Sequence, residues 1–112
     1  MNITAQIIND IYQISIDGEI DASSSILLDE EFEKGIASSS KKILVDCSHL
    51  SYISSAGLGV FMSNVEDCQD KDIKFVLYNL NTKIKSVFDM LGLNHLIQIK
   101  SNKEEALVYL NG

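Results

Sequence analysis

The residues with the most unusual local chemistry form one short stretch, Ser54-Ser-Ala-Gly-Leu-Gly59. An apolar run that ends at Asp46 precedes it and a helix-type apolar pattern follows it, so it stands where a strand passes into a helix. The first amides of a helix lack intrahelical partners and carry partial positive charge. A serine at this position can cap the helix, or it can carry a phosphate beside those amides.

Two interpretations of this stretch stay open from its local pattern. In the structural one, Ser54 and Ser55 are ordinary N-caps, and Gly57 and Gly59 pack against a neighbouring strand. In the functional one, the two glycines remove side-chain bulk beside an exposed serine, so that another protein can approach the backbone closely. We treat Ser54 and Ser55 as the candidate working surface.

Catalysis, metal binding and nucleotide binding are all poorly supported. A hydrolytic serine needs a base, and only His49 and His95 are available, without a Gly-x-Ser-x-Gly turn. No lysine follows the glycines, as a phosphate-binding loop requires. Asp46, Cys47 and His49 are three potential metal ligands without a second cluster. We therefore predict no catalytic residue, no bound metal and no cofactor.

Apolar periodicity predicts the strands that position this stretch. Two half-buried strands, Ile3–Ile7 and Tyr12–Ile16, flank a tight turn at Asn9-Asp10, and Asp17-Gly18 is expected to end the second strand. Apolar runs predict three further strands, at Lys42–Asp46, Ile73–Tyr78 and Leu96–Ile99.

Capping residues predict four helices between these strands. The first follows the N-cap candidates Asp21, Ser23, Ser24 and Ser25, and the second begins near Ser55. Thr82 is expected to cap the third, which ends at a left-handed Gly92, and a capping box at Ser101–Glu104 is expected to open the fourth. This order predicts an α/β fold with a mixed sheet of four to five strands and about four helices mainly on one side.

Composition narrows the choice of partners. The 112 residues suit one domain, residues 1–112, and the net charge is −7 with nine lysines and no arginine. This charge disfavours nucleic acid and anionic membranes, whereas it favours a protein partner with a basic patch. No apolar run is long enough to span a bilayer, no leader is evident, and Cys47 and Cys68 fit a reducing compartment, so a cytoplasmic protein is expected.

The stretch Tyr52-Ile-Ser-Ser-Ala-Gly-Leu-Gly-Val60 resembles the motif of the STAS domains of bacterial anti-sigma factor antagonists. In that motif an apolar pair precedes Asp-Ser-Ser/Thr-Gly-Leu-Gly, so Ser54 stands in place of the aspartate and Ala56 in place of the second hydroxyl. Three other segments resemble the family in the same order and spacing: Gly18–Asp21, Ile43–Asp46 and Ile84–Leu93. The resemblance covers nearly the full chain.

The resemblance implies a STAS fold and a role in partner switching. In such families a serine kinase that is also an anti-sigma factor binds the unphosphorylated antagonist and can phosphorylate the first serine after the motif's aspartate. That serine is Ser55 here, with Ser54 as the fallback, and a metal-dependent serine phosphatase of the PP2C type reverses the modification. The expected partner-binding residues are Asp21, Ser54, Ser55, Ala56, Gly57, Leu58 and Gly59. The alternative is a STAS-like regulatory subunit docked on the ATPase of an ABC-type transport assembly, with no need for phosphorylation.

Overall fold

Strands and helices alternate along the chain, and the computed structural model describes all of its residues, Met1–Gly112. The strands are β1 (Asn2–Ile8), β2 (Ile11–Ile20), β3 (Lys42–Ile53), β4 (Lys74–Tyr78) and β5 (Gln98–Lys100). The helices are α1 (Ser24–Ala37), α2 (Ser55–Asp70), α3 (Thr82–Met90) and α4 (Lys103–Asn111), with a 3-10 turn over Leu93–His95. None of these helices combines the length and the apolar character needed to cross a membrane.

The five strands form one mixed sheet in the order β1-β2-β3-β4-β5. Only β1 and β2 are antiparallel, and the other neighbours are parallel because a helix lies between them in the chain. The large apolar core lies between one face of the sheet and α1, α2 and α3, whereas α4 packs on the other face. The predicted mixed α/β sheet with helices mainly on one side is confirmed.

Four phenylalanines hold the three helices on the larger face of the sheet. The ring of Phe32 packs edge-to-face on Phe61 and Phe75 at centroid distances of 5.2 and 5.3 Å, and Phe61 packs on Phe88 at 5.8 Å. Such contacts join α1, α2, α3 and β4 into one cluster. On the opposite face a smaller cluster contains Ile11, Leu44, Val76, Tyr78, Ala106 and Leu110.

The predicted turn between β1 and β2 is confirmed. Asn9 and Asp10 have φ values of 52° and 63°, the left-handed region that a two-residue hairpin turn requires at both central positions. The prediction that Asp17-Gly18 ends β2 is wrong, because the strand continues to Ile20. Gly18 carries the chain onward at φ 106°, a conformation that residues with a side chain rarely adopt.

The predicted end of β3 at Asp46 is also wrong, since the strand runs on to Ile53. The register between β3 and β2 shifts twice. The three-residue step from Asp46 to His49 on β3 lies beside the two-residue step from Ser15 to Asp17 on β2. The two-residue step from Leu50 to Tyr52 lies beside the single step from Gly18 to Glu19. Each shift inserts one extra residue into β3, as in a β-bulge. The buried residues therefore recur every third position, at Cys47, Leu50 and Ile53, and the alternation expected of a strand is lost.

Three smaller expectations are corrected by one or two residues. Asn81 rather than Thr82 caps α3, and its side chain accepts a hydrogen bond from the amide of Ile84. Asn102 rather than Ser101 caps α4, because its side chain accepts from Glu105 N. Gly92 is left-handed as predicted, and the 3-10 turn that follows it delays β5 to Gln98.

Candidate functional site

Two strand-to-helix junctions lie side by side at one edge of the sheet. Ile20 at the end of β2 pairs with Ile53 at the end of β3, and the amide of Ser54 donates a 2.8 Å hydrogen bond to the Ile20 carbonyl. The residues that follow these strands, Asp21 and Ser54, therefore leave the sheet together. The structure thus brings the separate sequence segments around positions 21 and 54 into one surface.

The two serines at the start of α2 have different roles. Ser54 is the N-cap, since its Oγ accepts a 3.2 Å hydrogen bond from the amide of Gly57 and its carbonyl accepts one from Leu58 N. Ser55 is the first helical residue and is exposed. The amides of Ser55 and Ala56 are then the helix donors that no cap satisfies. The hydroxyl that is free for chemistry is that of Ser55, and it lies beside two unpaired amides.

The two glycines of the motif also differ. Gly57 is buried, and a Cβ added to it would lie 2.8 Å from both Ile20 Cγ2 and Ile53 Cγ1, so any side chain there would force its neighbours to move. Gly59 is exposed, and a Cβ there would meet nothing within 4 Å. The absence of a side chain at Gly57 lets α2 approach the ends of β2 and β3, whereas at Gly59 it leaves the helix surface open.

The seven predicted partner-binding residues do not all reach the surface. Asp21, Ser55, Ala56 and Gly59 are exposed and Ser54 is half-buried. Leu58 is 9% exposed and belongs to the core, and Gly57 is covered by the ends of the two strands. These last two residues therefore lie beneath the surface and hold it in place.

Asp21 organises the neighbouring junction. Its Oδ1 accepts hydrogen bonds from Ser24 N at 2.8 Å and from the hydroxyls of Ser23 and Ser24 at 2.9 Å, while Asp21 N donates to Ser24 Oγ at 2.8 Å. The backbone bond from Ser24, followed by the two hydroxyl bonds, lowers the pKa of Asp21 to about 2. Asp21 therefore stays ionised and occupies the positive end of α1.

A groove beside Asp21 adds apolar residues that the sequence did not single out. It has a volume of 710 Å³ and is lined by Met1, Gly18, Glu19, Asp21, Ser23, Ser24, Ile26 and Leu27. Ile26 and Leu27 lie in the first turn of α1, and their side chains are 62% and 55% exposed. The available signal was their position outside the apolar series Leu28, Phe32 and Ile36. Tyr52, which is 50% exposed, pairs with Glu19 one step before the two strands end.

The residues considered for other chemistry do not assemble. His49 Nδ1 lies 3.2 Å from Ser48 Oγ, so its partner is a strand neighbour and neither motif serine. Asp46 bonds to Ser48 N and Oγ, and no group of three or more potential metal ligands is present. Cys47 is fully buried, and burial raises the pKa of its thiol well above the ordinary value. The bulge between Asp46 and His49 turns these side chains to different surroundings.

Together these features define a small α/β protein with an exposed serine at a helix N-terminus. The family model of the STAS domain matches residues 2–106. The chain belongs to the STAS domain family of anti-sigma factor antagonists. The names of these relatives describe regulators, antagonists of an anti-sigma-B factor.

Relatives and solved structures agree with this assignment over almost the whole chain. The anti-sigma-B factor antagonist of Listeria monocytogenes is 30% identical over 108 residues, with 94% of this chain and 95% of the relative covered. That of Bacillus subtilis is 32% identical over 96 residues, covering 86% of each chain. The crystal structure of an anti-sigma factor antagonist from Mycobacterium paratuberculosis has a TM-score of 0.91 at 18% identity and covers 99% of this chain and 94% of its own, which shows the same fold.

Proposed function

We propose that this chain is an anti-sigma factor antagonist that works by partner switching, controlled by phosphorylation of Ser55. The unphosphorylated form binds an anti-sigma factor that is also a serine kinase and so releases the target of that factor. Phosphorylation of Ser55 by the kinase ends the binding, and a serine phosphatase of the PP2C type restores it. The observation that carries the proposal is the difference between the two serines at the start of α2: Ser54 caps the helix, and Ser55 is exposed.

The start of α2 can hold a phosphate without a change of fold. A phosphoserine carries about −1.5 to −2 charges at neutral pH and three strong acceptor oxygens. Ser55 N and Ala56 N are the unsatisfied donors, and the first turn of α2 contains no acidic residue that would repel the phosphate. Modification would therefore change the charge and bulk of the surface while the helix remains in place.

The same surface is already acidic, which makes the added charge effective as a signal. Asp21 lies at the adjacent junction with a carboxylate whose pKa is about 2, and Glu19 lines the groove beside it. A partner that docks here is expected to present basic groups and an apolar patch for Ile26 and Leu27. A phosphate on Ser55 would add charge and bulk to this contact and displace the partner.

Within this proposal the chain is a binding partner and a phosphate acceptor, with no catalysis of its own. The reason is that no base contacts the Ser55 hydroxyl, since His49 bonds to Ser48 instead. A single STAS domain, residues 1–112, would carry out both roles in the cytoplasm, where sigma factors act. The names of the relatives do not favour the alternative of a transport subunit.

The test uses the serine kinase-type anti-sigma factor of the same genome, purified, with variants of the two serines. Ser55→Asp should weaken binding by at least about tenfold, because a fixed negative charge occupies the contact. Ser55→Ala should bind like the unphosphorylated protein and remain bound when ATP is added. Ser54→Asp is the matched control: it places the same charge one residue earlier, in a capping position that aspartate fills well, and should bind more tightly than Ser55→Asp.

Peptide mass spectrometry after incubation with the kinase and ATP identifies the acceptor. A single phosphate on Ser55 is expected, and it should persist in Ser54→Ala. Phosphate on Ser54 in the wild-type protein would show that Ser54, and not Ser55, is the residue that the kinase modifies. Full binding of Ser55→Asp by the kinase would contradict the mechanism itself.

A further inference from the structure

The outer strand β1 leaves a row of backbone groups without partners. The two-residue turn at Asn9-Asp10 makes Ile8 and Ile11 a hydrogen-bonded pair, and hydrogen-bonded and non-bonded pairs alternate along an antiparallel ladder. The backbone groups of the even-numbered residues of β1 therefore point toward β2. Those of Ile3, Ala5 and Ile7 point away from the sheet, and β1 has no neighbour on that side.

This edge lacks the features that normally prevent strands from pairing with other chains. Asn2–Ile8 contains no charged residue and no proline, and its register with β2 has no bulge. The opposite edge is protected, since β5 has only three residues, Gln98–Lys100, and includes a lysine. The seven-residue length and the exposure of β1 make it the edge that can accept another strand.

The sequence of β1 is complementary to itself in the antiparallel direction. If Ala5 of one chain lies opposite Ala5 of a second, Ile3 lies opposite Ile7 and Thr4 opposite Gln6. Ile3, Ala5 and Ile7 then form one apolar side of the joined sheet, and on the other side Thr4 faces Gln6 while Asn2 faces Ile8. The same register joins the outward backbone groups of Ile3, Ala5 and Ile7, whereas a shift of two residues would leave Ile3 or Ile7 without a partner in the strand.

Exposed apolar side chains line the same edge. Ile7 and Ile8 are 56% and 40% exposed. Beside Ile3 the edge is flanked by Glu30, Glu31 and Lys34 of α1, which carry charges of both signs. A second copy placed across the edge would cover the apolar residues without setting like charges against the strand itself.

We propose that β1 pairs antiparallel with β1 of a second copy of this chain, with the two-fold axis at Ala5, so that two five-stranded sheets become one. This inference does not rest on the proposed function. Because the axis reverses the strand direction, the two Ser55 surfaces lie at opposite ends of the joined sheet. The dimer therefore leaves both surfaces free for their partners.

The charge of the chain predicts how salt affects this association. Each copy has a net charge of −7, so two copies repel each other at long range, while the paired strands themselves are uncharged. Added salt screens the repulsion and should strengthen the dimer. Binding of a basic partner at the Ser55 surface should weaken under the same conditions, which separates the two contacts.

Sedimentation velocity on the full chain tests the pairing over concentrations from about 1 μM to about 1 mM, the range of weak complexes. The wild type should shift from monomer to dimer, and Ala5→Lys and Ala5→Asp should each stay monomeric because the axis sets like charges opposite each other. An equimolar mixture of the two variants should dimerise again. Val108→Lys, which adds the same charge at a 73% exposed position on α4, should dimerise like the wild type.

Several results would overturn the proposal. One is a wild type that stays monomeric at every concentration, and another is a dimer that persists in Ala5→Lys. The third is a mixture of Ala5→Lys and Ala5→Asp that fails to associate, although both variants show the circular dichroism spectrum of the wild type. Hydrogen exchange gives a readout without substitutions: in concentrated wild type the amides of Ile3, Ala5 and Ile7 should exchange more slowly than in dilute protein. Ala5→Lys should still accept phosphate on Ser55, so failure of one proposal leaves the other standing.

Discussion

The two junctions at the working edge of the sheet use similar residues in opposite ways. At the start of α1, Asp21 receives hydrogen bonds from Ser23 and Ser24, so every hydroxyl near this cap is engaged and a carboxylate fills the positive end of the helix. At the start of α2, a neutral serine caps the helix and the next hydroxyl, that of Ser55, remains free.

The difference explains why only one of these helix ends suits a phosphate. A phosphate at the start of α1 would meet a carboxylate whose pKa is about 2 and which is therefore always charged near neutrality. A phosphate at the start of α2 would meet two unsatisfied amides and no acidic residue in the first turn. A serine near a helix N-terminus is thus a candidate for modification only when another group already supplies the cap.

The largest expected effect on stability comes from a substitution that pushes α2 away from the ends of β2 and β3. Gly57→Ala would place a Cβ 2.8 Å from Ile20 and Ile53, and such overpacking costs about 1–3 kcal/mol, offset in part by the better helix propensity of alanine. Gly59→Ala is the matched control and should stabilise by about 0.5–1 kcal/mol, since its Cβ meets nothing. Urea denaturation of both variants measures the difference, and equal midpoints would show that Gly57 does not set the spacing of the junctions.

A smaller effect is expected from removing the hydroxyl of either serine. Ser54→Ala removes the bond to Gly57 N and should lower the free energy of unfolding by about 1 kcal/mol, the usual value for a lost N-cap. Ser55→Ala should change it by less than about 0.5 kcal/mol, because the side chain is exposed and caps nothing. The same denaturation experiment measures both, and a larger loss for Ser55→Ala would reverse the roles assigned here.

The smallest effect concerns the pH dependence of Asp21. Its pKa in the folded protein is lowered from 3.8 to about 2, so its ionised form stabilises the fold above pH 3.8, and this contribution is lost as the pH falls through about 2. Asp21→Asn keeps a capping side chain but does not titrate, so the loss of stability between these pH values should become shallower. Thermal unfolding followed by circular dichroism across this range measures the slope, and an unchanged slope would argue against the hydrogen-bond network around Asp21.

Where the sequence failed, long-range geometry was responsible. The prediction that β3 ends at Asp46 is wrong because the buried residues beyond it recur every third position, a spacing that only the two register shifts against β2 explain. The continuation of β2 to Ile20 was missed for a related reason, since glycine after aspartate usually ends a strand. Both errors lie next to the site, where bulges in β3 adjust how far the strand end reaches.

The sequence by itself determined the alternation of strands and helices, the left-handed turns at Asn9-Asp10 and Gly92, and the start of α2 at Ser55, because these depend on periodicity and on local backbone preferences. The motif also indicated the family and the candidate serine, Ser55. Only the tertiary structure decided which serine is the cap and which is free, and which of Gly57 and Gly59 is buried. Those outcomes depend on how closely the end of β2 approaches the start of α2, and residues more than thirty positions apart in the chain set that distance.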